Sequence, residues 1–358
     1  MAAAVWGDRK ALGELASRPD RRAAVAIARV APALALRANE LGVAGFEVEG
    51  WRAELRNAAT AGLVLRHELA GIAAALAGVG VAWAPLKGLG LPASVYPRWE
   101  ERPTSDIDVL IAEQDVAATQ TALRDAGWRD AQVGDDADDF LAGEGYNWKA
   151  LSPGGVLLEL HYRLWGLAQD GLAEAVLARS TPDHAAGATA RALTLPDVYV
   201  VAAVHLWTHP VPRPLLYWWD LHRIAEAGGP QLAEVVIDEA RRWGLQLLVG
   251  AAAEAAAGFW DEAANARIAA ELIGELRLAE RRALARIRSV GVGVARLEPI
   301  QLARLLARRP SRMGWLAAWR RVWPHPAVLQ AKTPPEWSWL RRRAWFAAWR
   351  LGLVRRSG

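Results

Sequence analysis

The chain contains no cysteine. That excludes a disulfide scaffold, a thiolate metal site and a cysteine nucleophile. Lysine is scarce as well, occurring only at Lys10, Lys87, Lys149 and Lys332, so arginine carries nearly all of the positive charge. No apolar run reaches the roughly 18 uninterrupted residues that a spanning helix needs; the stretch from Ile72 is broken by Gly78, Gly80, Pro85 and Lys87. Met1 to Lys10 lacks a charged start followed by an apolar segment, so no secretory leader is expected there. These absences are what a cytoplasmic protein would show. No Gly-x-Ser-x-Gly elbow appears, which leaves a serine hydrolase unsupported. Gly88-Leu-Gly90 lacks the third glycine and the later acid of a dinucleotide fingerprint. Acids almost vanish from the end of the chain, where Glu336 stands alone between Gln301 and Gly358 among many arginines.

What is present is a hydrophobic content of 53% over 358 residues, enough for two or three modules with real cores. Residues 8–78 read as helices, with Leu12, Leu15 and Ala16 on one stripe and Leu63, Leu69, Ile72 and Leu76 on another within Ala59 to Leu76. The pattern then changes. Val79 to Ala84 reads as a strand, Lys87 to Gly90 as a turn, Leu91 to Tyr96 as a short helix and Pro97 to Thr104 as a polar loop. Asp106 to Ala112 reads as a strand. A helix N-capped by Asp115 follows to about Ala126. Gly134 to Gly145 is an acidic loop, and Tyr146–Leu151 with Val156–Tyr162 forms a hairpin around Ser152-Pro-Gly-Gly155. Beyond Leu164 the chain reads as helices: Pro196 to His209, Leu215 to Ala227, Ala233 to Gly258, Ala263 to Arg288, and the tail from Pro299. Four segments are expected, at 1–78, 79–165, 166–298 and 299–358, with a compact α/β unit between helical regions.

The chemistry concentrates in the α/β unit. Successive strand residues point to opposite faces, so Asp106 and Asp108 share one face while Ile107, Val109 and Ile111 share the other. Two close carboxylates repel unless a cation sits between them, and hard divalent ions take such oxygen ligands. Glu159, alone in the apolar strand Val156-Leu-Leu-Glu-Leu-His-Tyr162, is the candidate third carboxylate, and His161 shares its face. An Asp-x-Asp by itself is more often a solvated strand edge. The apolar strand, the preceding Lys-Gly turn and the later lone acid favour a site.

These motifs also carry a resemblance. Leu86-Lys-Gly88, Tyr96-Pro97 and Arg102-Pro-Thr-Ser-Asp-Ile-Asp-Val-Leu-Ile111 resemble the uncharacterised nucleotidyltransferase family of the DNA polymerase β-like superfamily. Leu158-Glu-Leu-His-Tyr-Arg-Leu164 is similar to its third-carboxylate strand. Val204-His-Leu-Trp-Thr-His209 and Trp218-Trp-Asp-Leu-His222 are similar to its downstream helical signature. The resemblance covers roughly residues 79–225. It implies an α+β fold: a small mixed β-sheet nucleotidyltransferase core flanked by N-terminal helices and a larger C-terminal helical region. It implies Asp106, Asp108 and Glu159 as catalytic metal ligands for Mg²⁺ or Mn²⁺, with an NTP as substrate and a hydroxyl or phosphate group as acceptor. The Gly-Ser turn usual in the superfamily is replaced here by Lys87-Gly88.

Lys87, Gly88, Arg102 and His161 are the candidate nucleotide- and cofactor-binding residues. Lys87 is read as a phosphate ligand against a surface cation, and Arg102 as a phosphate ligand against a salt bridge to Asp106 or Glu101. The N–H groups of Gly88 and Leu89, opening a short helix, would add a positive end. His205 and His209 are spaced to share a helix face, but Leu206 stands where a zinc protease would carry its glutamate, so packing is favoured over zinc. Asp220 is read as a buried hydrogen-bonding group or cap ahead of a site residue. For the tail, three readings stay open: packing on its own domain, contact with RNA or another polyanion, and lying on a membrane surface. A catalytically silent nucleotide-binding protein, or an accessory protein of a peptide or natural-product pathway, is the alternative to an enzyme. Neither acceptor nor oligomeric state is legible.

Overall fold

The structure, a computed structural model, describes residues 1–131, 147–164, 171–207, 214–260, 262–289 and 336–350. The acidic segment 134–145, His209 and most of the expected tail lie outside these residues. Among the described residues, five strands form one mixed sheet in the order β1-β2-β5-β4-β3: β1 (Trp83–Leu86), β2 (Ile107–Ile111), β3 (Arg129–Asp130), β4 (Asn147–Leu151) and β5 (Leu157–His161). β1 runs antiparallel to β2, β2 parallel to β5, and β5 antiparallel to β4. The fold is α+β, as expected. β6 (Thr181–Pro182) and β7 (Arg191–Ala192) make a separate ribbon.

The side-chain period of two divides the sheet into two chemical faces. On one, Ile107, Val109, Ile111, Leu158, Leu160, Trp148 and Ala150 pack against Leu65, Ile72 and Leu76 and against Leu123. Leu65, Ile72 and Leu76 belong to α5 (Val48–Gly78), which follows α1 (Ala2–Trp6), α2 (Arg9–Ala16), α3 (Arg22–Ala28) and α4 (Ala31–Leu41). The opposite face carries Ala84, Leu86 and Leu110, which join the core of the N-terminal and C-terminal helices. Between those apolar contacts lie the charged side chains.

Helix α5 is far longer than the stripe from Ala59 suggested. Gly50, Gly62 and Gly71 weaken its local helix signal. Gly62 is there for a packing reason, since a Cβ would sit 2.0 Å from the Trp99 ring. Arg66 covers the same ring at 5.0 Å from its centroid. Together they pin the loop that leads into Asp106. By length and composition α5 is also apolar enough to cross a membrane, with a mean hydropathy of 1.2 over 18 residues, although Arg66 and Glu68 lie within it.

Other boundaries shift for identifiable reasons. β1 begins at Trp83, because Val79 and Gly80 are spent closing α5, with Val81 N–H donating to the Leu76 carbonyl. Leu91 to Tyr96 forms no helix. It is a single turn on the Pro92 carbonyl, which accepts from the N–H groups of Val95 and Tyr96 at 2.9 and 3.1 Å, and Pro97 then blocks extension. Asp115 does not cap with its side chain; the helix α7 (Val116–Asp125) starts from a 3₁₀ turn at Glu113–Asp115, α6 being the four-residue turn Lys87–Gly90. After α8 (Leu172–Arg179) and α9 (Leu195–Leu206), the helix α10 (Leu215–Trp243) runs through a break at Gly229 followed by Pro230. Left-handed Gly244 ends it and separates α11 (Gln246–Phe259). The expected helix 263–288 is two, α12 (Ala263–Gly274) and α13 (Leu278–Ser289). α14 (Trp339–Arg350) closes the described chain.

Candidate active site

Strand register brings the acids together. Leu86 pairs with Asp108, Asp108 with Glu159, and Glu159 with Lys149. Directly paired residues share a face, so these four form one row across the polar side of the sheet. The next row is Ala84, Leu110, His161 and Asn147. Asp106 stands two residues before Asp108, just ahead of β2, with the Ser105 hydroxyl 3.3 Å from its Oδ1.

The row is densely neutralised. Lys87 Nζ lies 2.8 Å from Asp108 Oδ1. His161 Nε2 lies 2.9 Å from the same oxygen and 3.5 Å from Glu159 Oε2. Lys149 Nζ is 3.1 Å from Glu159 Oε1, and Asn147 Nδ2 donates to Glu159 Oε2 at 3.3 Å. Lys149 and Asn147 were not singled out above. Ser152 N–H donates to the Val156 carbonyl at 2.9 Å, and three steps out from that pair Lys149 stands opposite Glu159; symmetric counting from a Ser152–Gly155 turn would have set it opposite Leu158.

The electrostatics follow from that placement. Burial alone would raise the Asp108 carboxyl, but Lys87 and then His161 outweigh it and hold it below the ordinary range. Glu159 is likewise lowered against its burial, chiefly by His161 and then by Lys87 and Lys149. Asp106 goes the other way: burial, then the charge of Asp108, raises its carboxyl despite Lys87. The cluster therefore contains one acid that the protein alone leaves in an unfavourable field. One donor atom each from Asp108, Glu159 and His161 lies within 4.8 Å of the others, and Asp106, the third expected ligand, is not in that group. The two carboxylates suit a divalent cation such as Mg²⁺ or Mn²⁺, whereas His161, held protonated by both acids, would join the ligands only on losing its proton.

Lys87 reaches Asp108 through an unusual backbone. Its φ is +43°, left-handed for a residue with a side chain, a conformation that costs about 1 kcal/mol or more. Gly88 follows with non-helical angles, and a Cβ there would lie 2.5 Å from Thr104 Cγ2. The turn Lys87–Gly90 is thus too short and too broken to present a helix N-terminus to a phosphate, contrary to the expectation for Gly88 and Leu89.

Arg102 stands away from the carboxylate row, contrary to the expectation of a phosphate ligand. It faces neither Asp106 nor Glu101. Its guanidinium is buried in a two-pronged contact with Asp220, Nε to Oδ1 at 2.9 Å and a terminal nitrogen to Oδ2 at 2.7 Å. Tyr96 Oη donates to the same carboxylate at 2.8 Å. Asp220 is accordingly a buried hydrogen-bonding group that ties α10 to the loop before β2. His205 is buried with its ring against Tyr217, centroids 5.3 Å apart; the proposed partner His209 lies outside the described residues. In the described part of the tail, Arg341 and Arg343 stack on Trp337 and Trp339, each 4.4 Å from the ring centroid.

The family comparison fits this geometry. The chain matches the family described as uncharacterised nucleotidyltransferase over residues 21–261. It belongs to that family. The match reaches beyond the stretch 79–225 in which motifs were legible, taking in α3, α4 and α5 before it and the rest of α10 with α11 after it. No curated protein matches the chain.

Proposed function

We propose that this member of the uncharacterised nucleotidyltransferase family transfers a nucleoside monophosphate from an NTP to a hydroxyl-bearing acceptor, with Asp106, Asp108 and Glu159 as its catalytic carboxylates. The observation that carries the reading is the Asp108–Glu159 register, which sets two acids from different strands side by side with Asp106 two residues away. A divalent cation held by these acids would neutralise charge building on the α-phosphate and on the departing pyrophosphate.

The chain's own groups have definable tasks. The acceptor oxygen forms a bond to the α-phosphorus. The bond from that phosphorus to the oxygen bridging to the β-phosphate breaks, pyrophosphate leaves with the electron pair, and the hydroxyl proton passes to a site carboxylate. Lys87 brings a cation to the edge of the row where Gly88 lets the backbone approach closely, a suitable place for the triphosphate. Lys149 and Asn147 hold Glu159 in one orientation. His161 fixes Asp108 against Glu159.

One observation favours a second reading. Lys87, His161 and Lys149 already neutralise Asp108 and Glu159, so the row is electrostatically self-sufficient, as a silent nucleotide-binding relative would require. Incubation of the four α-labelled NTPs with Mg²⁺ or Mn²⁺ and a panel of hydroxyl acceptors separates the two. The enzyme reading requires label on an acceptor with equimolar pyrophosphate, both lost in Asp106→Asn. Full transfer by that variant would remove the assignment.

A further inference from the structure

A cavity of about 540 Å³ opens between the N-terminal helices and the start of α5, well within the size range of small-molecule sites. Val25, Pro32, Trp51 and Pro103 make much of its wall. Pro103 stands three residues before Asp106. Arg29, also in the lining, reaches the Pro103 carbonyl at 3.5 Å, and its charge acts on Asp106. The cavity thus ends at the short loop that leads into Asp106, and that loop is held by Trp99 in its slot against Gly62.

Two acids, Glu47 and Glu54, complete the lining. The only base, Arg29, is directed to the Pro103 end. An occupant thus meets an apolar space, the exposed acid Glu54 on α5 and, at the Pro103 end, the loop that leads to Asp106.

We propose that this cavity is the acceptor site and that its ligand is a small hydroxyl compound with an apolar or aromatic body and a basic amine. The inference rests on the nucleotidyl-transfer reading and deepens it. The amine pairs with Glu54, the body packs along Trp51 and Pro32, and the hydroxyl is presented at the Pro103 end toward Asp106. Its oxygen then bonds the α-phosphorus, pyrophosphate departs with the electrons of the broken phosphoanhydride bond, and the proton goes to a carboxylate.

Gly50 supplies a clean test. It lines the cavity, and a Cβ built there meets nothing within 4 Å, so Gly50→Phe adds a ring at the cavity wall with room at its Cβ. The full chain is titrated calorimetrically with tyramine, an aromatic amine carrying a hydroxyl, and with 4-ethylphenol, which lacks the amine. Thermal melts check that each variant folds, and each magnesium NTP is titrated in parallel. Tyramine should bind the wild type, with 4-ethylphenol and Gly50→Phe each about tenfold weaker. Glu54→Gln should weaken tyramine about threefold, the size of one partly exposed ion pair. NTP binding should be unchanged in Gly50→Phe. Absence of tyramine binding, equal binding of 4-ethylphenol, or indifference to Gly50→Phe overturns the acceptor site while leaving nucleotide binding standing. Tyramine binding in the expected pattern by a protein that binds no NTP would instead sink the transfer reading on which the acceptor role depends.

Discussion

Asp108 and Lys87 form a buried ion pair at 2.8 Å, both side chains less than a tenth exposed. Lys87 occupies the position beside the acid that a bound cation would share. Removing the lysine leaves a buried carboxylate whose remaining neutralising partner is His161, a loss that costs about 3–5 kcal/mol for a broken buried pair. Lys87→Met should therefore destabilise the metal-free protein by that order. Mg²⁺ should recover a larger share of stability in the variant than in the wild type, because the cation takes over a charge the lysine supplied. Urea unfolding with and without Mg²⁺ measures both. An identical Mg²⁺ increment in the two proteins would show that the ion does not bind next to Asp108.

Asp106 should behave in the opposite sense. Its carboxyl is raised by burial and by Asp108, so above the unfolded value its ionisation opposes folding. Asp106→Asn should stabilise the metal-free protein at neutral pH while removing both transfer and the stabilising effect of Mg²⁺. A functional acid that is a structural liability is the expected signature of a ligand-binding group. At a metal concentration 100 times its Kd the wild type should gain about 2.7 kcal/mol. Melting curves across a Mg²⁺ series test this; a metal-free variant less stable than the wild type would contradict the placement.

Arg102 and Asp220 make a prediction about architecture rather than chemistry. Their contact joins α10 to the loop before β2, and Tyr96 adds a third hydrogen bond. Asp220→Ala should cost about 3–5 kcal/mol by stranding the guanidinium, and Tyr96→Phe about 1–2 kcal/mol. The double variant Arg102→Met with Asp220→Leu should recover much of the Asp220→Ala loss, because no buried charge is left unpaired. Denaturation of the set decides it: a double variant no more stable than Asp220→Ala would mean that the pair contributes more than mutual neutralisation.

These contacts also show where reading the chain stopped. The period of two at Asp108 and the lone acid in Val156–Tyr162 were enough to set Asp108 and Glu159 on one face, since strand alternation is local physics. Lys149 was missed because the expected Ser152–Gly155 turn sets it opposite Leu158, whereas Ser152 pairs with Val156 and shifts the β4–β5 register by one residue. The contact of Arg102 was beyond reach, because its partner lies 118 residues away and charge alone does not choose among acids. The stripe was read only from Ala59 because Gly50 and the charged residues after it hide the apolar pattern of the first turns of α5, while Gly62, inside the stripe, seats Trp99. Arg29 carried no pattern at all; only the packing of α3 beside Pro103 brings it near Asp106.

His222 supplies a pH test away from the metal-binding acids. It is stacked on Trp260, ring centroids 5.1 Å apart and planes 22° from parallel, and lies 5.3 Å from Trp219. Burial, then the charge of Arg223, pushes its pKa down to about 4 from 6.5. The unfolded chain therefore holds more protons than the folded one between those values, and stability falls as pH drops through that window. Above 6.5 both states are neutral at this position and no effect remains. The loss between pH 7.5 and pH 5 should be about 2 kcal/mol from this residue. His222→Phe keeps an aromatic ring between the two tryptophans but cannot take up a proton, so its stability should decline less over the same range by that amount. Urea unfolding of both proteins at the two pH values gives the difference directly. Equal acid sensitivity would place a solvated, ordinary histidine at this position and contradict the stacked, buried geometry.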